Sequence, residues 1–124
     1  MFDKFVVAFN FFGINSIDLK AETYGTLASL QQTKREFEKA EQNYIKSLNI
    51  YKELSKENPK EYCPYIASTI NQLASLKSET NQFEKAETNY VEVLKIRKKL
   101  ANENPQIYNL DYASTLNDLS VLQI

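Results

Sequence analysis

The sequence predicts an all-α fold built from antiparallel helix-pair repeats that stack into an α-solenoid. Two observations predict it: the chain repeats itself at a spacing of 46 residues, and the apolar residues of each copy recur at helical spacing. Residues 27–72, laid without a gap over residues 73–118, agree at 23 of 46 positions. No segment shows sustained two-residue alternation, so we expect no strands.

The recurring segments are those that pack helices together. The run LASL of residues 27–30 returns at 73–76, and the run FEKAE of residues 37–41 returns at 83–87. Positions that differ by 46 are therefore called equivalent below.

The first half of each copy predicts an amphipathic helix. In the second copy Ile66, Ile70, Leu73 and Ala74 fall on one face of a 3.6-residue period, opposite a polar face. A break follows at Asn81, a residue type that tolerates the left-handed backbone of a tight turn.

The second half of each copy predicts a longer helix. Its apolar stripe consists of Phe83, Ala86, Tyr90, Val93, Leu94 and Leu100. We expect Asn58-Pro59 and Asn104-Pro105 to end these helices, because proline cannot continue the hydrogen-bond ladder. Pro64 then suits the first turn of the next helix, with Cys63 before it as the cap.

These signals divide the chain into two full repeats and two partial ones. The predicted helices cover residues 18–33, 36–57, 64–79, 82–103 and 110–123. The predicted units are a short apolar half-repeat or capping helix at 1–17, a first repeat at 18–63, a second repeat at 64–109, and the first helix of an incomplete third repeat at 110–124.

The phrase TINQLASL from Thr69 and the run FEKAETNYVEVLKIRKKL from Phe83 resemble the tetratricopeptide repeat family, and more narrowly its longer kinesin-light-chain-type repeats. In that family small residues mark the close contact between paired helices, a place matched here by Ala28 with Ala40 and by Ala74 with Ala86. The resemblance implies a right-handed superhelix and a scaffold that binds other proteins. The glycine usual at the inter-helix turn is replaced by Arg35 and Asn81.

Composition excludes several function classes. The chain has no histidine, one cysteine, two glycines and a net charge of −1. These counts leave no histidine-based acid–base chemistry, no histidine or multi-thiolate metal site and no glycine-rich phosphate loop. The near-neutral charge gives no footprint for nucleic acid or an anionic membrane. We therefore expect a cytoplasmic protein that is not an enzyme, with no catalytic, cofactor-binding or metal-binding residues and no cofactor.

Both ends of the chain carry apolar residues. Phe2, Phe5, Phe9 and Phe12 form a helical stripe that we expect to pack on helix 18–33, with self-association or a weak membrane or partner contact as alternatives. The helix at 110–123 has no second helix to cover its apolar side. That exposed side predicts concentration-dependent homodimerisation.

The polar faces of the first helices are the candidate partner-binding groove. These residues are Glu22, Thr26, Ser29, Ser68, Asn71, Gln72, Ser75, Glu79, Ser114, Asn117 and Asp118. The carboxamides of Asn71 and Asn117 can donate to and accept from a peptide backbone, although each position could equally be a solvated polar surface. None of these positions is basic, which disfavours capture of acidic C-termini. We expect Arg97-Lys98-Lys99 to be solvated, and Tyr62 and Tyr108 to pack the junctions between repeats from inter-repeat loops.

The function predicted from these observations is a non-catalytic interaction scaffold that binds a peptide or partner helix on its concave face. One alternative is a structural fragment whose apolar ends stack or swap with another copy. A second alternative is a regulatory domain that senses a peptide through a change in superhelix curvature.

Overall fold

A computed structural model describes residues 16–122, and its described part consists of five α-helices joined by short turns, with no strand. The helices are α1 Ser16–Thr33, α2 Phe37–Ser55, α3 Pro59–Glu79, α4 Phe83–Glu103 and α5 Pro105–Leu122. The all-α helical-repeat prediction is confirmed. The half-repeat predicted at 1–17 lies outside the described residues except for the first residues of α1, and the division into repeats remains a prediction.

The predicted starts of α3 at 64 and of α5 at 110 are wrong, because both helices begin five residues earlier. Pro59 and Pro105 begin α3 and α5 instead of only ending the helices before them. Proline fits a first helical turn, since the amide hydrogen it lacks has no partner there. Asn58 precedes α3, and its Nδ2 donates to Glu61 Oε2 in the first turn of that helix at 2.7 Å.

The earlier start changes the setting of three residues. Pro64 lies inside α3 and leaves the Lys60 carbonyl without its helical amide donor. Cys63 is half-buried inside the same helix, so the expectation that it caps a helix is wrong. Tyr62 and Tyr108 lie within α3 and α5, not in loops, although Tyr62 is buried against α1 as a junction residue should be.

The turns within each helix pair use the left-handed conformation. Arg35 has φ 64° and Asn81 has φ 63°, which confirms the break predicted at Asn81. After each turn the chain bonds back to the preceding helix: the Glu36 amide donates to the carbonyl of Gln31, in the last turn of α1, at 2.8 Å. The turn in each pair is three residues long, residues 34–36 in the first and 80–82 in the second.

Paired helices run in opposite directions and meet through small residues. Ala28 and Ala40 are fully buried in one cluster, and their equivalents Ala74 and Ala86 are fully buried in another, as the alanine pattern predicts. The Ser47 hydroxyl donates to the Ala21 carbonyl at 2.8 Å, which shows how closely the backbones of α1 and α2 approach.

Helices two apart along the chain lie side by side and run in the same direction. Tyr62 of α3 contacts Asp18 near the start of α1, and Ser75 further along α3 contacts Gln32 near the end of α1. A continuous core joins the first four helices; its buried members are Ala21, Tyr51, Tyr62, Ile66, Ala67, Ile70 and Val93. This arrangement places the polar faces of α1 and α3 beside each other, with α2 behind them.

Candidate functional site

An open groove of about 520 Å³ lies between α1 and α3, and α2 forms its floor. It brings together five of the predicted site residues, which are Glu22, Thr26, Ser29, Ser68 and Gln72. The other lining residues are Gly25, Leu30, Thr33, Ser47, Tyr51, Tyr65 and Thr69. This surface is called the first groove below.

Two small residues, Gly25 of α1 and Ser47 of α2, face each other at the floor of the first groove. A Cβ atom on Gly25 would lie 3.4 Å from the Ser47 Oγ, which is van der Waals distance. The equivalents of Gly25 and Ser47 in the second copy are Asn71 and Val93, which are both larger. The small pair therefore opens space in the first groove that the second copy fills.

Three tyrosines form an aromatic cluster at one end of the first groove. Tyr51 and Tyr65 stack with ring centroids 5.2 Å apart and an interplanar angle of 14°. Tyr62 packs beside both, and its hydroxyl hydrogen-bonds to the Asp18 carboxylate at 2.7 to 2.8 Å. Burial raises the pKa of Tyr62, and the hydrogen bond to Asp18 adds to that shift.

Sequence reasoning missed the roles of Tyr51 and Tyr65. Tyr51 continues the stripe of α2 through Tyr44 and Ser47 at helical spacing, so its burial was available from the pattern. Tyr65 carries no such signal, because the sequence predicts a helix start at residue 64 whereas the helix begins at Pro59.

The groove continues into a smaller hollow of about 400 Å³, which adds Ser75 and Glu79 to the predicted residues it shares with the first groove. Here the protein bridges its own helices. Gln32 Nε2 donates to Glu79 Oε1 at 2.6 Å, and the Tyr44 hydroxyl donates to Gln32 Oε1 at 2.8 Å. Burial raises the pKa of Tyr44.

The equivalent space between α3 and α5 is occupied by Arg97, which is buried. Its guanidinium donates to Thr115 Oγ1 at 2.7 Å and lies 3.4 to 3.5 Å from Ser68 Oγ and Asn71 Oδ1. The expectation that Arg97 is solvated is wrong. Burial lowers the pKa of Arg97, and the charge of Asp111 opposes that shift.

The remaining predicted residues are not assembled in the first groove. The Asn71 Oδ1 atom accepts hydrogen bonds from Arg97 and Thr115, so its bonding partners lie within the protein. Ser114 and Asn117 are exposed on α5 and Asp118 is half-buried there, away from the α1–α3 surface.

Within residues 16–122 no group of three or more histidine, cysteine, aspartate or glutamate side chains could hold a metal ion. Over the same residues, no helix is long and apolar enough to cross a membrane.

Comparison with known proteins agrees with the helix-pair geometry. The family model described as tetratricopeptide repeat matches residues 19–99, which is more than half of the chain. A search of curated proteins finds no match. The narrower resemblance to kinesin-light-chain repeats remains a prediction. Proteins built from these repeats generally bind other proteins. The helix pairs, their alanine contacts and the family match together establish that this chain belongs to the tetratricopeptide repeat family.

Proposed function

We propose that this chain is a non-catalytic scaffold that binds an extended peptide segment of a partner protein in the first groove, on the concave side of the repeat stack. The observation that supports it is the open space between α1 and α3, lined by polar side chains over an aromatic and small-residue floor. Its volume of about 520 Å³ lies within the range of clefts that bind ligands in proteins.

The lining suits a peptide better than a folded surface. Hydroxyl and carboxamide groups of Ser29, Ser68 and Gln72 can hydrogen-bond a main chain of any sequence. The stacked rings of Tyr51 and Tyr65 offer an apolar wall to one ligand side chain. In extended-peptide recognition, hydrogen bonds to the peptide main chain supply affinity, and a pocket for one peptide side chain supplies specificity.

Selection of a random peptide library displayed on phage against the intact chain tests the proposal. Thr26→Arg places a long charged side chain in the groove from an exposed position, so the fold should survive. Thr88→Arg makes the same change on the exposed face of α4 and is the matched control. We expect selected peptides to lose about tenfold or more in affinity on Thr26→Arg only.

Peptides that bind Thr26→Arg as well as the unsubstituted chain would contradict the proposal, and so would a selection that yields no binders. Circular dichroism and thermal melting of both variants show whether each is folded before affinities are compared.

A second function, self-association through α5, is favoured by a different surface. Ile107, Leu110 and Val121 lie on one side of α5 and are 61%, 85% and 62% exposed. Exposed aliphatic groups of this size favour association with another apolar surface. We propose that two copies of the chain pair through this side of α5.

Light scattering over a range of protein concentrations tests the pairing. We expect the mass to rise toward a dimer, and Leu110→Asp to keep the chain monomeric. Ile45→Asp, an exposed position on α2, is the control and should leave the mass unchanged. A monomeric mass at every concentration would rule the dimer out. The cytoplasmic location also remains a proposal, which a fluorescent tag in the source cell tests.

A further inference from the structure

The space between α3 and α5 shows how this fold holds a guanidinium group. Arg97 rises from α4 between the two helices and donates to the Thr115 hydroxyl at 2.7 Å. The Ser68 hydroxyl, the Asn71 side-chain oxygen and the Asp111 carbonyl surround it at 3.4 to 3.5 Å. The cation is therefore held by several neutral oxygens from both flanking helices, within a site made by the chain itself.

The first groove lies at the equivalent place in the first copy, but its twelve described lining residues include no arginine or lysine. Thr69 is equivalent to Thr115 and makes the same bond within its helix, donating to the Tyr65 carbonyl at 2.8 Å. Glu22 is equivalent to Ser68, so a carboxylate stands where the second copy has a hydroxyl. Gly25 replaces Asn71 and removes a side chain from the space that the guanidinium would enter.

The arginine itself is replaced by Tyr51, which covers the floor of the groove with an aromatic ring. Tyr65 stacks on this ring and is half exposed, so part of its surface remains open to a ligand. A guanidinium plane binds well against the face of a tyrosine. The first groove thus offers an arginine two kinds of contact that Arg97 does not have.

The charge of the first groove matches that ligand. Among the twelve described residues that line it, Glu22 alone carries a charge at neutral pH. Burial raises the pKa of Tyr51, and the negative charges of Glu22 and Asp18 raise it further. The burial contribution says nothing about charge, but the contributions of Glu22 and Asp18 reflect two carboxylates near the ring, which disfavour an acidic ligand and favour a basic one.

We propose that the first groove binds an arginine side chain of the partner segment, with its guanidinium between the Glu22 carboxylate and the stacked pair Tyr51 and Tyr65. This inference rests on the proposed peptide-binding function and names the ligand chemistry of that site. In the second copy, the guanidinium of Arg97 fills the equivalent space.

The strengths of the ion pair and of the tyrosine contact determine how much each should contribute to peptide affinity. An exposed carboxylate–guanidinium pair strengthens binding by about two- to fivefold, and the effect weakens as salt screens the charges. The tyrosine face adds a factor of about two to five for a partly exposed site. Lysine should bind less well than arginine, because its ammonium cannot stack as a plane or make two parallel hydrogen bonds.

The test starts from peptides selected on the intact chain by the phage experiment and measures their affinities by fluorescence anisotropy. Each peptide is compared with versions in which arginine is replaced by lysine or by norleucine. The chain is compared with Glu22→Gln and Tyr65→Ala, and with Glu38→Gln as the control, since Glu38 is an exposed carboxylate in the first turn of α2.

We expect the selected peptides to contain arginine, and both groove substitutions to weaken the arginine peptide by about two- to fivefold. Glu38→Gln should have no effect. The decisive result is the coupling: Glu22→Gln should cost the norleucine peptide nothing, because that peptide has no charge to pair.

Two outcomes overturn the proposal while leaving the peptide-binding function intact. In one, peptides blocked by Thr26→Arg are enriched in acidic or uncharged residues without arginine. In the other, Glu22→Gln weakens the arginine and norleucine peptides equally. Failure of the peptide-binding function is distinguishable, since no selected peptide would then be sensitive to Thr26→Arg.

Discussion

Arg97 is buried, whereas the next two residues of the same basic run, Lys98 and Lys99, are exposed. Helix geometry explains the difference, because Arg97 follows Tyr90 and Val93 on the inward stripe of α4. The composition of this run indicates a solvated surface, but the position of Arg97 on the inward face of the helix buries its side chain.

Removal of the Arg97 side chain tests this assignment. Arg97→Ala removes the guanidinium that donates to Thr115 and Asn71 and leaves its space in a buried site unfilled, so it should lower the free energy of unfolding by about 1–3 kcal/mol. Lys98→Ala, one position away and exposed, should change it by less than about 0.5 kcal/mol. Urea denaturation followed by circular dichroism measures both, and equal effects would contradict the assignment.

Buried tyrosines also predict a loss of stability in alkali. Burial raises the pKa of Tyr44, Tyr51 and Tyr90 above the ordinary value of 10.0. Above pH 10 the unfolded chain therefore loses tyrosine protons before the folded chain does, and the unfolded state is favoured. The stability contributed by these groups is complete below pH 10 and decreases as the pH rises through their folded pKa values.

Urea denaturation between pH 8 and pH 11.5 measures that decrease, and absorbance at 295 nm follows tyrosine ionisation directly. The native chain should titrate at higher pH than the chain in urea. Tyr51→Phe should flatten the pH dependence, since phenylalanine keeps the ring but cannot ionise. A pH dependence unchanged by that substitution would contradict the prediction.

At the scale of elements, the turns and the helix starts were predictable to different degrees. The turn at Asn81 followed from the end of one apolar stripe and the start of the next. The predicted start of α3 lies five residues too late, because the prediction uses Asn58-Pro59 as a stop signal alone. Proline ends one helix and begins another with the same fixed φ, so the dipeptide cannot separate the two roles without its neighbours.

The turn between α1 and α2 provides a test with an internal control. Arg35 adopts φ 64°, a conformation that costs a residue with a side chain about 1 kcal/mol more than glycine. Arg35→Gly and Arg35→Ala both remove the guanidinium that lies over the Phe37 ring at 5.1 Å. We expect the glycine variant to be the more stable by about 1 kcal/mol in urea denaturation. Equal stabilities would show that the left-handed turn is not strained.

At the scale of the whole molecule, neighbouring helices supply the stability of each element. α3 has eight buried residues and lies between α2 and α4, with further contact to α1. α5 packs on α4 and has one buried residue, Thr115. In a stack whose stability is a sum of nearest-neighbour interfaces, the helix with the smaller interface opens first.

Hydrogen exchange followed by mass spectrometry at low protein concentration tests that order. Peptides from α5 should exchange faster than peptides from α3, because α5 opens without exposing the central core. Protection of α5 that increases with concentration would agree with pairing through this helix. Equal protection of α3 and α5 in the dilute chain would contradict the nearest-neighbour description.

The sequence by itself determined the fold class, the 46-residue period, the alanine contacts and the polar faces that line the first groove. Each of these follows from spacing along one helix or from comparison of two copies, which need no knowledge of neighbours in space. The tertiary structure alone decided that Tyr51 and Tyr65 stack, that Arg97 fills the second space, and that Gly25 opens the first. These residues are 14 to 29 positions from the groups they meet, and stacking of helices, not local pattern, brings them together.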